Sequence, residues 1–392
     1  PLTENSKLEV GLQARLFNNV IDYESDGRTQ NMLGEYIPSL TYFDYSRDIY
    51  SVYANYSKKV NKWNFQLGLR AESTNVKTLA KETDLITNDV IETPFDNDYF
   101  EVYPSAFVTF EASEKNSFQV SYSRRVDRPG VSQINPLPEF NTPLISEFGN
   151  QDLLPQFTNS FETNYTRRLD KGTITAGVFY RRVQDEISTV IQVDRADFNR
   201  LILTDDNFEN TSAYGFELTS NYRPTAWWSI NGSFDLYSQT QKSIAERLTV
   251  AAEVATESDI FIETVEVDNV AFNFRVFNNF KVSESLSFTA FAFYRGANKS
   301  VQFEQDPMHF VNLGMRYSFL AGKATFSFNY NDVFNTMKAS LTADRPFRQK
   351  AEFNWESNTW NLGFNYRFGG EKYRAKSRRQ RDDNEKDGGG LF

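Results

Sequence analysis

Three groupings of side chains in this 392-residue chain have types and spacing suited to chemistry. Asp205-Asp206-Asn207-Phe208-Glu209 places hard oxygen donors at short intervals, the donor chemistry of Ca²⁺. It lacks the ordered calcium-binding loop and its glycine, and reads as a solvated loop. His309 is the single histidine and cysteine is absent. That removes thiol nucleophiles, disulfide frameworks and Cys-ligated metals together, and leaves a histidine triad or zinc cluster without partners. The third grouping is arginine: Arg70, Arg125, Arg181, Arg275, Arg295, Arg316 and Arg367 fall on the face opposite an apolar set. Guanidinium groups on such a face hydrogen-bond carboxylates or an anionic solute. No catalytic set, metal site or cofactor motif emerges, and the expectation is a protein that is not an enzyme and carries no cofactor.

Composition narrows what must hold these residues. Aromatic residues make up 16% of the chain, with 36 Phe, 20 Tyr and 5 Trp, far above a disordered or linker-rich sequence. Mean hydropathy is -0.56, and no apolar run is long enough for a membrane helix. A membrane β-barrel passes both tests, because only alternate residues meet lipid. The formal charge of -10 disfavours nucleic acid as a partner. The chain opens at Pro1 without a leader, which reads as a processed product, a split chain or a fragment.

Two-residue periodicity recurs throughout. In Trp360-Asn361-Leu362-Gly363-Phe364-Asn365-Tyr366-Arg367-Phe368, apolar residues hold every even position and Asn, Gly and Arg the odd ones. A strand sorts those sets onto two faces and a helix scrambles them. Trp63 to Arg70, Val311 to Phe319 and Ala324 to Asn331 repeat the pattern. Counting such segments, and assigning the Pro38-interrupted stretch near residue 40 to a long loop, predicts roughly fourteen strands, an even number suited to an up-and-down all-β barrel.

Short connections near residues 58–61, 114–116, 169–172, 223–225, 283–285 and 321–323 alternate with long ones spanning about 20–48, 76–98, 127–157, 188–210, 240–268, 296–307 and 335–356. Tight turns at one rim and elaborate loops at the other fit a transmembrane antiparallel barrel with periplasmic turns and extracellular loops. A soluble β-sandwich could not bury seven guanidinium groups on an inner face without paired charges. Trp63, Trp227, Trp228, Trp355 and Trp360 lie near predicted strand ends, where an interfacial aromatic girdle belongs. Within 127–157, five prolines and two glycines suggest a rigid loop shaping the barrel mouth, with Asn135, Asn150 and Gln151 as candidate ligand contacts. The acidic run from Glu246 to Glu266 has an Ala-rich centre suited to a short loop helix. Residues 1–370 read as the barrel portion and 371–392 as a basic, then Gly-rich, disordered periplasmic tail that solubilises or touches anionic headgroups.

Several stretches resemble the carboxyl-terminal part of a TonB-dependent outer-membrane receptor, of the outer-membrane β-barrel family common in Bacteroidetes. They are Tyr122-Ser123-Arg124-Arg125-Val126-Asp127-Arg128-Pro129 with Ile134-Asn135-Pro136, Phe148-Gly149-Asn150-Gln151-Asp152-Leu153-Leu154-Pro155, Tyr330-Asn331-Asp332-Val333-Phe334-Asn335, and the closing Gly363 to Gly370. The ordered series covers essentially the whole chain. It implies the last fourteen strands of a barrel of about twenty-two, filled by a plug domain that the seven arginines would face. Further implied partners are outer-membrane lipid, the remaining barrel strands from missing sequence or a separate chain, TonB acting through a missing amino-terminal part, and a surface lipoprotein lid. The implied function is the barrel wall and extracellular recognition loops of a transporter importing a scarce or bulky solute. Two other readings stay open: a passive porin-like channel, and a structural barrel subunit of a larger envelope complex. An outer-membrane hydrolase would need a nucleophile, base and orienter together, and His309 has no obvious Ser and acid partners.

Overall fold

A computed structural model of the chain describes residues 3–28, 35–137, 140–368 and 385–386. Fourteen strands form its main sheet: β1 (Ser6–Asp26), β2 (Pro38–Val60), β3 (Trp63–Asp84), β4 (Val90–Ser113), β5 (Asn116–Pro129), β6 (Gln156–Leu169), β7 (Gly172–Val193), β8 (Leu201–Tyr222), β9 (Trp228–Leu248), β10 (Ile260–Lys281), β11 (Leu286–Arg295), β12 (Met308–Phe319), β13 (Ala324–Tyr330) and β14 (Trp360–Tyr366). Each pairs antiparallel with the next in sequence. A second, four-stranded antiparallel sheet joins Asn298–Lys299, Glu304–Gln305, Lys338–Ala343 and Gln349–Asn354 at the long-loop end.

The sheet is open. Among the described residues β1 pairs only with β2 and β14 only with β13, and the sheet is neither closed nor strongly curled. The expected transmembrane barrel, whether closed by itself or formed from the last fourteen of twenty-two strands, is therefore overturned as a description of this chain. The physical reason is that alternation reports which face a residue occupies and is silent on whether the two edge strands meet. The tail from 371 onward lies outside the described residues, except for Glu385–Lys386, which pairs parallel with Arg128–Pro129.

Much of what the sequence assigns to long loops is strand. β1 to β4 and β7 to β10 run 21 to 24 residues each, about twice the 9–11 residues that cross a bilayer. The doubtful stretch near residue 40 belongs to β2, which Pro38 opens rather than interrupts. At the first residue of a strand a missing N–H costs no internal ladder bond. The Ala-rich stretch forms two short 3-10 turns, Ala252–Val254 and Glu257–Asp259.

Register across β1 to β4 shows why the strands are long. The outer-face row Leu12–Val52–Ala71–Val102 is apolar, and Ala14–Tyr50–Ser73–Phe100 follows it. One pleat further, Leu16–Asp48–Asn75–Asp98 brings in carboxylates, and beyond it cross-strand pairs take over, with Lys77 3.7 Å from Asp96 and Lys81 3.0 Å from Glu92. The same face is thus greasy toward the tight turns and charge-paired toward the loops. From Phe100 to Phe110, β4 spans the apolar band in a length matching one crossing of about 9–11 residues.

The tight-turn rim carries paired aromatics, with Trp63 tilted against Phe110 at 4.6 Å, Phe118 tilted against Tyr165 at 4.9 Å and Trp228 stacked on Phe280 at 5.9 Å. Trp360 opens β14 at the opposite boundary, and Trp355 lies in the connection before it. A charge at mid-band should therefore be costly and the same charge above it nearly neutral. Leu67→Arg should lose about 2–4 kcal/mol of folding stability in lipid, whereas Ser46→Arg should lose about 0–1 kcal/mol. Reversible denaturant unfolding in vesicles measures both.

Candidate functional site

The face opposite the apolar band, called the inner face here, carries Gln13, Arg70, Glu72 and Tyr103, and the 130–155 loop folds down onto it. Gly130 precedes a single helical turn, Val131–Ile134. Ile134 and Leu153 project into a buried cluster with Phe43, Tyr45, Ala80 and Ile187, so one loop ties β2 and β3 to β7. Gly149 is forced by packing, since a Cβ there would lie 2.5 Å from the Asn135 carbonyl oxygen.

The acidic cluster on β8 is the fastening strip for this loop. Asp205 accepts from Gln133 Nε2 at 2.9 Å and from Thr189 Oγ1 at 3.1 Å, while its carbonyl accepts from Asn150 Nδ2 at 3.1 Å. Asn207 Oδ1 accepts from the Leu154 N–H at 2.8 Å, and its Nδ2 donates to the carbonyls of Leu154 and Asp185 at 3.0 and 2.9 Å. Glu209 pairs with Lys242 at 2.6 Å. No group of three or more His, Asp or Glu among the described residues has metal-holding geometry.

β5 leaves β4 at the start of the arginine-rich motif. Pairing between them ends at Ser105 and Ser123; above that point β4 pairs only with β3, and β5 with β6 and, at Arg128–Pro129, with Glu385–Lys386. Pro94 and Pro104 sit on the edge of β4 thus freed, where no partner strand needs their missing N–H. Side chains bridge the gap: Arg124 reaches Glu101 at 3.2 Å and lies 4.8 Å over the Phe157 ring, and Arg128 Nε donates to the Tyr99 hydroxyl at 2.8 Å. Arg128 and Glu72 are each 3% exposed and ion-paired at 2.5 Å. Arg70 also pairs with Glu72 and donates to Gln13 Oε1 at 2.8 Å. A buried pair of this kind has little net worth against an apolar core, but breaking it by removing one partner strands a buried charge.

The sequence-selected residues therefore separate. Arg70 and Arg181 stand in inner-face ion pairs, Arg181 reaching Glu217 at 3.0 Å and Glu162 at 3.5 Å. Arg125, Arg275 and Arg316 are exposed, as is Arg367, just beyond β14. Arg295 is half-buried, with Nε and Nη2 lacking partners among the described residues. Asn135 is buried, with Oδ1 accepting from the Leu137 N–H at 3.2 Å, and Asn150 is engaged with Asp205. Gln151 Nε2 is buried without a hydrogen-bond partner among the described residues. His309 is exposed at the start of β12, its ring 6.3 Å from that of Tyr294. Sequence reasoning missed Arg124, Arg128, Glu72 and Glu101. The Arg70-x-Glu72 spacing was an available signal, since it puts opposite charges side by side on one face.

The Asn331-Asp332-Val333-Phe334-Asn335 motif builds the exit from β13. Asp332 (φ 41°) and Asn335 (φ 53°) adopt left-handed backbone. The Asp332 carboxylate, in a residue 1% exposed, accepts from the N–H groups of Thr336 and Met337 at 2.9 Å and from Ser357 Oγ at 2.7 Å. Burial alone would push this carboxyl up, but the hydrogen bonds outweigh it and hold it below the ordinary aspartate value.

A match over residues 1–366 identifies the chain as a member of the outer membrane protein beta-barrel family. It is accordingly an outer-membrane protein. Its fold resembles solved outer-membrane receptors. The ferric-catecholate import receptor Fiu of E. coli K12 matches at 14% identity and TM-score 0.62, over 93% of this chain and 52% of the receptor. The ferric yersiniabactin uptake receptor FyuA of Yersinia pestis matches at 12% and 0.61, over 93% and 51%. The siderophore receptor PiuA of Acinetobacter baumannii matches at 16% and 0.61, over 93% and 54%. The chain spans about half the length of these receptors. No curated protein matches it.

Two outcomes follow from the loop geometry. Asn207→Ala should expose the 150–155 segment to protease while leaving the strands intact, at a cost of about 0.5–1.5 kcal/mol for each hydrogen bond lost to the solvent-exposed Leu154 backbone; limited proteolysis with peptide mapping reads this. The lowered Asp332 carboxyl stabilises its turn while ionised, so the contribution is full at neutral pH and is lost as pH falls below about 4. Hydrogen exchange at Thr336 and Met337, corrected for intrinsic rate, should show protection collapsing only in that acid window, and Asp332→Ala should remove it at every pH.

Proposed function

We propose that this chain forms outer-membrane wall and ligand-recognition loops of a TonB-dependent transporter that imports a scarce or bulky solute. The observation that carries the reading is the 130–155 loop fastened across the inner face through Ile134, Leu153 and Asn207. A wall whose inner face is covered by a strapped loop suits gated uptake better than free diffusion. The likeness in fold to siderophore and ferric-complex receptors supports the same class of task.

In this reading the charge-paired outer band and the long-loop rim face the outside, and the tight turns and the carboxyl terminus face the periplasm. Plug, further wall strands and the TonB-contacting motif belong to sequence beyond residues 1–392 or to a separate chain, and a surface lipoprotein lid closes the outer side. Ligand contact is assigned to Gln151, whose amide nitrogen is unspent, together with Asn135 and Asn150, which shape the loop around it. Arg125, Arg275, Arg295, Arg316 and Arg367 are the inner arginines without a carboxylate partner among the described residues, and with Arg70 and Arg181 they face the lumen or the plug.

The complete protein in its native outer membrane decides between transporter and channel. Energised import predicts uptake of the cognate solute that stops on adding a protonophore or deleting TonB, with no steady conductance in a planar bilayer. A passive channel predicts the reverse: a stable open conductance and uptake indifferent to both treatments.

A further inference from the structure

At the tight-turn rim of the inner face, β9 to β12 and their turns line an open-mouthed cavity of about 230 Å³. It is below the roughly 300–1,000 Å³ usual for small-molecule pockets, a size for one charged head group rather than a bulky cargo. Register explains its lining. Ser287 of β11 sits between Lys281 of β10 and Arg316 of β12 in one cross-strand row, and Ser229 pairs opposite Asn279 in the adjoining row. Arg223 enters from the turn after β8.

Three features set this cavity apart. Its cationic side chains, Arg223, Lys281 and Arg316, are exposed and make no ion pair among the described residues, unlike Arg70, Arg128 and Arg181 on the same sheet. Against them stands one carboxylate of the lining, Glu284, so the basin is basic in a chain of net charge -10. Beside it, Trp227, Trp228 and Phe280 stack at 5.9 to 6.2 Å, an aromatic group that sets this rim at headgroup depth.

We propose that this cavity binds a phosphoryl group. Guanidinium forks and an ammonium supply charge-assisted donors to phosphate oxygens, and the hydroxyls and the Asn279 amide complete the shell. The phosphoryl group can come from a lipid headgroup at the rim or from a soluble phosphate, and both meet the same side chains. The site is independent of what the transporter imports.

The test uses the full chain folded in uncharged maltoside micelles, titrated calorimetrically with inorganic phosphate and, separately, with micelle-dispersed phosphatidic acid. Saturable, salt-weakened binding is expected, reduced about tenfold or more by Arg316→Gln with Lys281→Gln. Lys281→Gln alone should give an intermediate loss and guards against a double variant that fails to fold. Binding of phosphatidic acid alone assigns the lipid source, and binding of inorganic phosphate assigns the soluble one. If neither ligand saturates, or if the folded variants bind as tightly as the parent, the proposal is overturned.

Discussion

Everything in this structure depends on one constraint: a backbone placed in hydrocarbon must satisfy its N–H and C=O groups within the protein while every outward side chain is apolar. A long antiparallel meander meets the first demand for its inner strands, because each donor and acceptor meets a neighbouring strand. The second demand fixes register, since a slip by one residue would turn Arg70 and Glu72 toward lipid and Leu67 and Leu69 inward. Once register is fixed, the polar set is delivered to one shared face, and the inner-face chemistry follows. Ion pairs such as Arg181 with Glu162 and Glu217 are the consequence of that sorting rather than its cause.

How far the sequence was legible follows from this. The two-residue alternation identified the strands and their faces correctly at Trp63–Leu69 and Trp360–Tyr366, because there one face meets lipid and the contrast is strong. It failed where the contrast fades. Above the apolar band, the outer face of β2 to β4 takes up Asp48, Ser46, Asn75, Lys77, Asp96 and Asp98 while Phe43, Tyr45 and Ala80 pack on the inner face, so the alternation changes sense and strand was taken for loop. Closure was illegible for a different reason: whether β1 meets β14 depends on sheet curvature, which no local pattern encodes.

At the candidate site the residue types were legible and their roles were not. Asp205 and Asn207 read as part of a solvated loop, yet they lie within β8 and their oxygens accept from Gln133, Thr189 and Leu154 across the sheet. Such partners lie 16 to 72 positions away and leave no trace in spacing. Arg128 was overlooked because it shares the phase of the apolar set Phe118, Val120 and Tyr122, at the place where β5 departs from β4. That departure explains the arginine-rich motif: where the backbone ladder ends, Arg124 and Arg128 replace it with side-chain bridges to Glu101, Tyr99 and Glu72.

The abrupt change of outer-face chemistry between Tyr50 and Asp48, and between Phe100 and Asp98, has a mechanical consequence. It acts as a waterline. Sinking the sheet by one row would immerse Asp48 and Asp98, and by two rows the Lys77–Asp96 pair, whereas a thinner bilayer would wet Ser73, Ala14, the amphipathic Tyr50 ring and one apolar ring, Phe100. The cost of mismatch is therefore lopsided, small on the thin side and steep on the thick side. A protein with that asymmetry settles in thin membranes, and the bacterial outer membrane is thinner than average.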